Sequence, residues 1–218
     1  MGGISYHPAQ FWKREGDRVV CTLCPRYCKI PEGGYGFCYI RQVRNGKLYT
    51  IGYGRPTGIA IDPVEKKPLN HFLPGGMVLS FGTAGCNLGC RFCQNWGISK
   101  AKLDDRNSLS LSPEEIVDLA LRYRCEGIAY TYNDPVIFAE YVVDISRIAR
   151  KKGLKNVLVT AGYITDSARP YLYEYADGAN VDLKGFTEDF YKKICGAGEL
   201  KPVLETLKWI RKESKVWL

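Results

Sequence analysis

The chain has 218 residues, of which 45% are hydrophobic and 25% charged, with a formal charge of +8. That balance is ordinary for a globular protein and excludes wholesale disorder and collagen-like repeats. No apolar run is long enough to span a bilayer, the opening Met1-Gly2-Gly3-Ile4 does not read as a secretory signal, and the 31 basic and 23 acidic residues interleave as on a solvated surface rather than a nucleic-acid groove.

Residues 1–75 are rich in Gly, Pro and Tyr and lack helical periodicity, with Lys47-Leu48-Tyr49-Thr50-Ile51 reading as a short strand between turns. Four of the nine cysteines fall here, as Cys21-x2-Cys24-x3-Cys28-x9-Cys38. Close-set cysteines without a signal sequence point to thiolate ligands in a reducing compartment, the cytoplasm, rather than to disulfides. Four thiolates suit structural zinc and an auxiliary [4Fe–4S] cluster alike, and either would staple a region too small for a large core. Pro74-Gly75-Gly76 marks a boundary. The expected organisation is a Cys-rich metal-binding region over 1–75 and a β/α core over 76–218.

Beyond the boundary, strands and helices alternate. Met77–Phe81 reads as a buried strand, and residues 112–125 as a helix that Ser112 caps, Pro113 starts and Glu115 completes as a capping box, with Ile116, Leu119, Ala120 and Tyr123 on one face. Ile128–Tyr132 is the next strand. A helix follows from about Pro135, striped by Ile137, Tyr141, Ile145 and Ile148. Asn156–Thr160 and Ala179–Leu183 read as further strands, and residues 165–176, 187–195 and 202–213 as helices. Lys215-Val216-Trp217-Leu218 reads as a fifth strand barely begun, so a chain truncated after about five strands is expected. Repeated β–α units predict an α/β fold with a parallel sheet, open or curled toward a barrel.

The chemistry concentrates in Cys86-Asn87-Leu88-Gly89-Cys90-Arg91-Phe92-Cys93, on the loop after the first of these strands. Three thiolates at C-x3-C-x2-C spacing can hold three irons of a cubane and leave the fourth iron open, unlike four-cysteine electron carriers. A closed zinc site would need a fourth ligand, and no histidine is near. Cys125 and Cys195 read as small buried hydrophobes, and His71 as a surface or packing histidine.

This spacing, with an aromatic residue before the last cysteine, resembles the radical S-adenosylmethionine (SAM) enzymes. The resemblance implies a partial (β/α) barrel in which Cys86, Cys90 and Cys93 hold a [4Fe–4S] cluster. It also implies SAM on the open iron, reductive cleavage to a 5′-deoxyadenosyl radical, and Phe92 against the adenine. By the same resemblance Asn133 and Asp134 would accept from the SAM amino group, although Asp134 before Pro135 is equally an ideal helix cap. Lys184, with Asp182 beside it, would pair with the SAM carboxylate, and ferredoxin or flavodoxin would supply the electron. Cys21-Thr22-Leu23-Cys24-Pro25, Asp62 through Leu69, Cys93-Gln94-Asn95-Trp96, Thr131-Tyr132-Asn133 and Asn180 through Phe186 are similar to the AmmeMemoRadiSam-system subgroup, often described as similar to pyruvate formate-lyase activating enzymes. That subgroup is associated with Memo-like and AMMECR1-like partners. Ala161 departs from it, standing where related proteins carry Asn. An activating enzyme that installs a glycyl radical on a partner is the alternative within the class, and a non-catalytic iron–sulfur or zinc-stabilised module is the alternative outside it.

Overall fold

The Gly-, Pro- and Tyr-rich start of the chain folds into two small antiparallel sheets, in a computed structural model that describes residues 5–218. The reading of Met1-Gly2-Gly3-Ile4 lies outside the described residues. The strands here are β1 (His7–Pro8), β2 (Trp12–Glu15), β3 (Arg18–Cys21), β4 (Lys29–Ile30), β5 (Arg41–Arg44) and β6 (Lys47–Thr50). They pair in the orders β1-β6-β5 and β2-β3-β4. Asn45-Gly46 turns the β5–β6 hairpin with both residues at positive φ, 51° and 67°, the geometry that this dipeptide favours. Val19, Ile30, Ile40, Val43 and Leu48 are buried, and they belong to the same packed cluster as Phe81 and Tyr130 of the larger sheet.

That larger sheet runs β7-β8-β9-β10-β11: β7 (Thr57–Pro63), β8 (Met77–Gly82), β9 (Gly127–Tyr130), β10 (Lys155–Thr160) and β11 (Gly178–Val181). β7 is antiparallel to β8, and the other neighbours are parallel. Sequence periodicity did not reveal β7, which lies before the expected boundary yet forms the sheet's edge. Both faces of the central strands are covered, as their largely apolar runs require. Leu79, Phe81, Ile128, Tyr130 and Leu158 join the main cluster, whereas Val78, Ala129 and Val157 pack with Val64 and Leu69 on the opposite face.

The helices are α1 (Trp96–Ser99), α2 (Pro113–Arg122), α3 (Ala139–Lys151), α4 (Arg169–Tyr173), α5 (Glu188–Lys193) and α6 (Lys201–Glu213). The Ser112–Glu115 capping box forms in both directions. The buried stripe of α2 is Ile116, Val117 and Ala120; Tyr123, expected on that face, is exposed because the helix ends at Arg122. A 3₁₀ turn over Pro135–Phe138 precedes α3, whose Tyr141 and Ile145 are buried. α4 is shorter than the 165–176 expected, since Pro170 has no N–H and must sit in the first turn. The fifth strand read as barely begun is a single parallel bridge from Trp217 to Gly178, the Trp217 carbonyl accepting from Ala179 N–H at 2.8 Å. No helix among the described residues is long and apolar enough to cross a membrane.

Candidate functional site

The parallel strands all point their C-terminal ends at one cavity of about 360 Å3. Such ends are where α/β folds place their ligands. Cys86, Cys90, Phe92 and Cys93 line it after β8, Asn133 and Asp134 after β9, Thr160 and Ala161 at the end of β10, and Asp182 and Lys184 after β11. The fold therefore gathers all eight residues that sequence assigned to this site.

The cysteine loop is held from two sides. Asn133 donates its side-chain N–H groups to the carbonyls of Thr83 at 2.6 Å and Gly85 at 2.7 Å, clamping the turn that leads into Cys86. Gly82 is required beneath this clamp, because a Cβ there would stand 2.5 Å from the Thr131 carbonyl oxygen. From the other side, the N–H groups of Gly89 and Arg91 donate to the carbonyls of Cys195 (2.8 Å) and Ile194 (2.9 Å) just after α5. Cys195 is fully buried with its thiol against Cys90, a placement that no local sequence signal announces. Leu88 N–H donates to Cys86 Sγ at 3.4 Å, and Cys93 Sγ lies 3.0 Å from Ser99 Oγ on α1. Burial pushes the Cys86 thiol up to about 12 and raises Cys90 as well, so both stay protonated until a cation displaces the proton.

Asp134 is buried and does two jobs. Its Oδ1 accepts from Val136 N–H at 3.1 Å, the helix cap expected from the following proline, and from Thr160 Oγ1 at 2.8 Å, while Oδ2 accepts from Ala161 N–H at 3.3 Å. Burial lifts its carboxyl to about 6 against the pull of those donors and of Lys184. Burial would lower Lys184, but Asp182 at 2.9 Å, Cys90 and Asp134 outweigh it and raise its ammonium above the ordinary lysine range. Phe92 is half exposed at the rim, its ring 6.0 Å from that of Phe190.

Tyr132 holds a left-handed backbone (φ 69°) at the exit of β9. Asn95 Nδ2 donates to its carbonyl at 2.8 Å, and its own hydroxyl donates to Asp62 Oδ2 at 3.1 Å. Asp62 also meets Lys66 and Lys67, which with Tyr132 bring its carboxyl down to about 2 although burial alone would raise it. The Asp62–Leu69 stretch thus buttresses the cavity from β7. Ser99 and Thr160 went unassigned from sequence, for no motif marks them, and Tyr132 was given no role although it lies in the Thr131-Tyr132-Asn133 stretch. His71 is exposed and stands outside the cavity, and Cys125 is buried away from it.

Cys21, Cys24, Cys28 and Cys38 line a second, much smaller cavity that shares Asn87 with the cysteine loop. Among the described residues all nine cysteines are free, and no three His, Cys, Asp or Glu side chains already stand at a common metal-coordinating distance. The sulfurs of either set would have to draw together on loading.

Among known proteins, the chain is 46% identical over 211 residues to an uncharacterized protein of Methanocaldococcus jannaschii, covering 96% of this chain and 62% of that one. It is 26% identical over 124 residues to a pyruvate formate-lyase-activating enzyme of Clostridium pasteurianum, covering 53% of this chain and 49% of that enzyme. The chain thus spans about half to two thirds of the length of these relatives. A solved structure of TYW1 with a lysine–pyruvate adduct bound aligns with a TM-score of 0.45 at 18% identity, over 63% of this chain and 53% of that one. Residues 81–218 match the Radical SAM superfamily, and that span holds the whole Cys86–Cys93 loop and every parallel-strand end around the cavity. The chain belongs to the radical SAM superfamily.

Proposed function

We propose that Cys86, Cys90 and Cys93 hold a [4Fe–4S] cluster and that the chain cleaves S-adenosylmethionine reductively, delivering a 5′-deoxyadenosyl radical to a substrate in the same cavity. The supporting observation is that three soft thiols on one loop share a cavity with an ammonium and two carboxylates at the ends of β8 to β11. The donor set fits the group: three cysteines and no fourth protein ligand on the loop leave one iron open, and a cavity of about 360 Å3 leaves space beyond the cubane. When bound, the cluster would supply the electron and the open iron on which SAM's amino and carboxylate groups sit.

The chain's own part is placement. Lys184, oriented by Asp182, offers a fixed cation to a carboxylate. Asp134 has three of its roughly four acceptor positions filled, leaving one for an ammonium. Asn133 donates its side-chain N–H groups to Thr83 and Gly85 and so positions Cys86, while its Oδ1, which takes one bond from Thr83 N–H at 3.4 Å, keeps an acceptor position for the SAM amino group. Phe92 at the rim offers a face to an adenine. The sheet is read as a partial (β/α) barrel, its inner face covered by Val64 and Leu69.

A glycyl-radical activase is the second reading, favoured by the similarity to pyruvate formate-lyase-activating enzymes. An AmmeMemoRadiSam-type role with Memo-like and AMMECR1-like partners, a ferredoxin or flavodoxin donor and a cytoplasmic setting rest on the sequence motifs. The test is iron and sulfide content, with 5′-deoxyadenosine formation under reducing conditions, in the intact chain and in a Cys86/Cys90/Cys93→Ala variant. Loss of about four irons, four sulfides and all product in the variant is expected. A variant that holds as much iron as the intact chain, or an iron-loaded chain that neither binds nor cleaves SAM, sinks the proposal in favour of a non-catalytic module.

A further inference from the structure

The four N-terminal cysteines are the largest set of chemistry-bearing side chains that the proposed reaction leaves unused. Cys21 ends β3, Cys24 and Cys28 lie on the turn into β4, and Cys38 precedes β5; none is in a disulfide. The cavity they line is about 20 Å3, close to the least that holds one water molecule. The catalytic cavity is about 360 Å3. The smaller space suits one ion better than a cubane with its sulfides.

Phe37 N–H donates to Cys28 Sγ at 3.5 Å, and all four side chains face the one small space. Four thiolates around a divalent ion leave a net charge of about −2, and two guanidiniums line the same cavity. Arg41 is buried and paired with Glu140, while Arg26 donates to the carbonyls of Asn87 and Gly196 and has no carboxylate partner among the described residues.

We propose that Cys21, Cys24, Cys28 and Cys38 hold a single tetrahedral, thiolate-coordinated ion of the zinc class, and that this ion braces the loop carrying Cys86. The bracing follows from contact. Gly85 (φ 87°) lies so close to the Cys38 carbonyl that no side chain fits there, and Asn87 forms part of the wall around the four sulfurs. This site stands whether or not the radical reading of the larger cavity holds.

The first experiment measures metal in the Cys86/Cys90/Cys93→Ala variant, produced with both iron and zinc available. One zinc per chain, no acid-labile sulfide and four sulfur neighbours at about 2.3 Å by X-ray absorption are expected. Four irons with four sulfides in that variant would overturn the zinc class, and a chain free of metal would overturn the site. Cobalt(II) titration of the same variant, with all four N-terminal cysteines intact, is expected to develop thiolate-to-cobalt charge transfer and tetrahedral bands that saturate at one cobalt per chain. Saturation beyond one, or no charge-transfer band, overturns single-ion binding. Stripping zinc from the otherwise intact protein is expected to speed amide hydrogen exchange across residues 83–93 by about tenfold. Unchanged exchange there overturns the bracing.

Discussion

The two cysteine loops are made of the same ligand and built to opposite ends. Residues 86–93 hang from the C-terminal end of a parallel strand and face a wide cavity that an ammonium and two carboxylates also line. Residues 21–38 are folded between short antiparallel strands, their sulfurs turned into a space of about one water. As proposed, the first arrangement would leave a metal coordination position open to a substrate, whereas the second would close around a single ion. That is the usual division between catalytic and structural metal sites. The difference lies less in the cysteines than in what surrounds them.

The comparison breaks most decisively at the ligands. Cys86/Cys90/Cys93→Ala is expected to abolish iron binding and 5′-deoxyadenosine formation while leaving the N-terminal ion in place, as read by metal analysis. A smaller effect is expected where the two regions are tied together. Arg41 and Glu140 form a buried bidentate pair, with Glu140 also accepting from Gln10 N–H at 2.8 Å. Glu140→Ala leaves a buried guanidinium without its partner and should cost about 3–5 kcal/mol in urea unfolding. If residues 1–75 and 76–218 behave as separate units, this variant should also split the transition in two. A single transition would show that the shared core makes them one cooperative body.

Next in size is a pH effect confined to the open site. Because burial lifts Asp134 to about 6 from its ordinary 3.8, the folded chain keeps a proton that the unfolded chain releases between those values. Its contribution is complete below about pH 4 and is lost as pH rises through about 6, by about 3 kcal/mol in all. Asp134→Asn should remove that decline in the metal-free protein, measured as the difference between the two urea-unfolding profiles from about pH 4 to about pH 7. Parallel profiles would show that Asp134 is not the group responsible.

Asn133→Ala sharpens the contrast further. Loss of its bonds to Thr83 and Gly85 should cost about 1–3 kcal/mol and impair iron loading without displacing the N-terminal ion. Smallest is Ser112→Ala, about 1 kcal/mol from the lost cap of α2, which should change neither metal content. It serves as the control that a general loss of stability does not by itself empty either site.

Much of this molecule was legible in one dimension. The start of α2 could be read from Ser112, Pro113 and Glu115 because a capping box is a local hydrogen-bond exchange. β8 to β10 showed as short apolar runs because both of their faces are buried. Other elements were not legible. Helix α1 has only four residues, too few for a periodic signal. β7 is defined by long-range pairing with β8 and by a register shift between Thr57 and Ala60 that no local pattern encodes. The position of Asn133 marked it as a ligand contact; only the folded chain reveals that its side-chain N–H groups also clamp the turn into Cys86.

By itself the sequence determined which atoms are available: two sets of thiols at ligand spacing, and the polar residues that follow each parallel strand. Ligand type and spacing are properties of contiguous residues and survive any arrangement of the rest. Tertiary structure alone decided which set lies open and which is enclosed, that Cys195 rests against Cys90, and that Gly85 joins one loop to the other. Cavity size and burial arise from residues far apart in the chain packing to interior density, so they come into existence only when the sheets and their cores close.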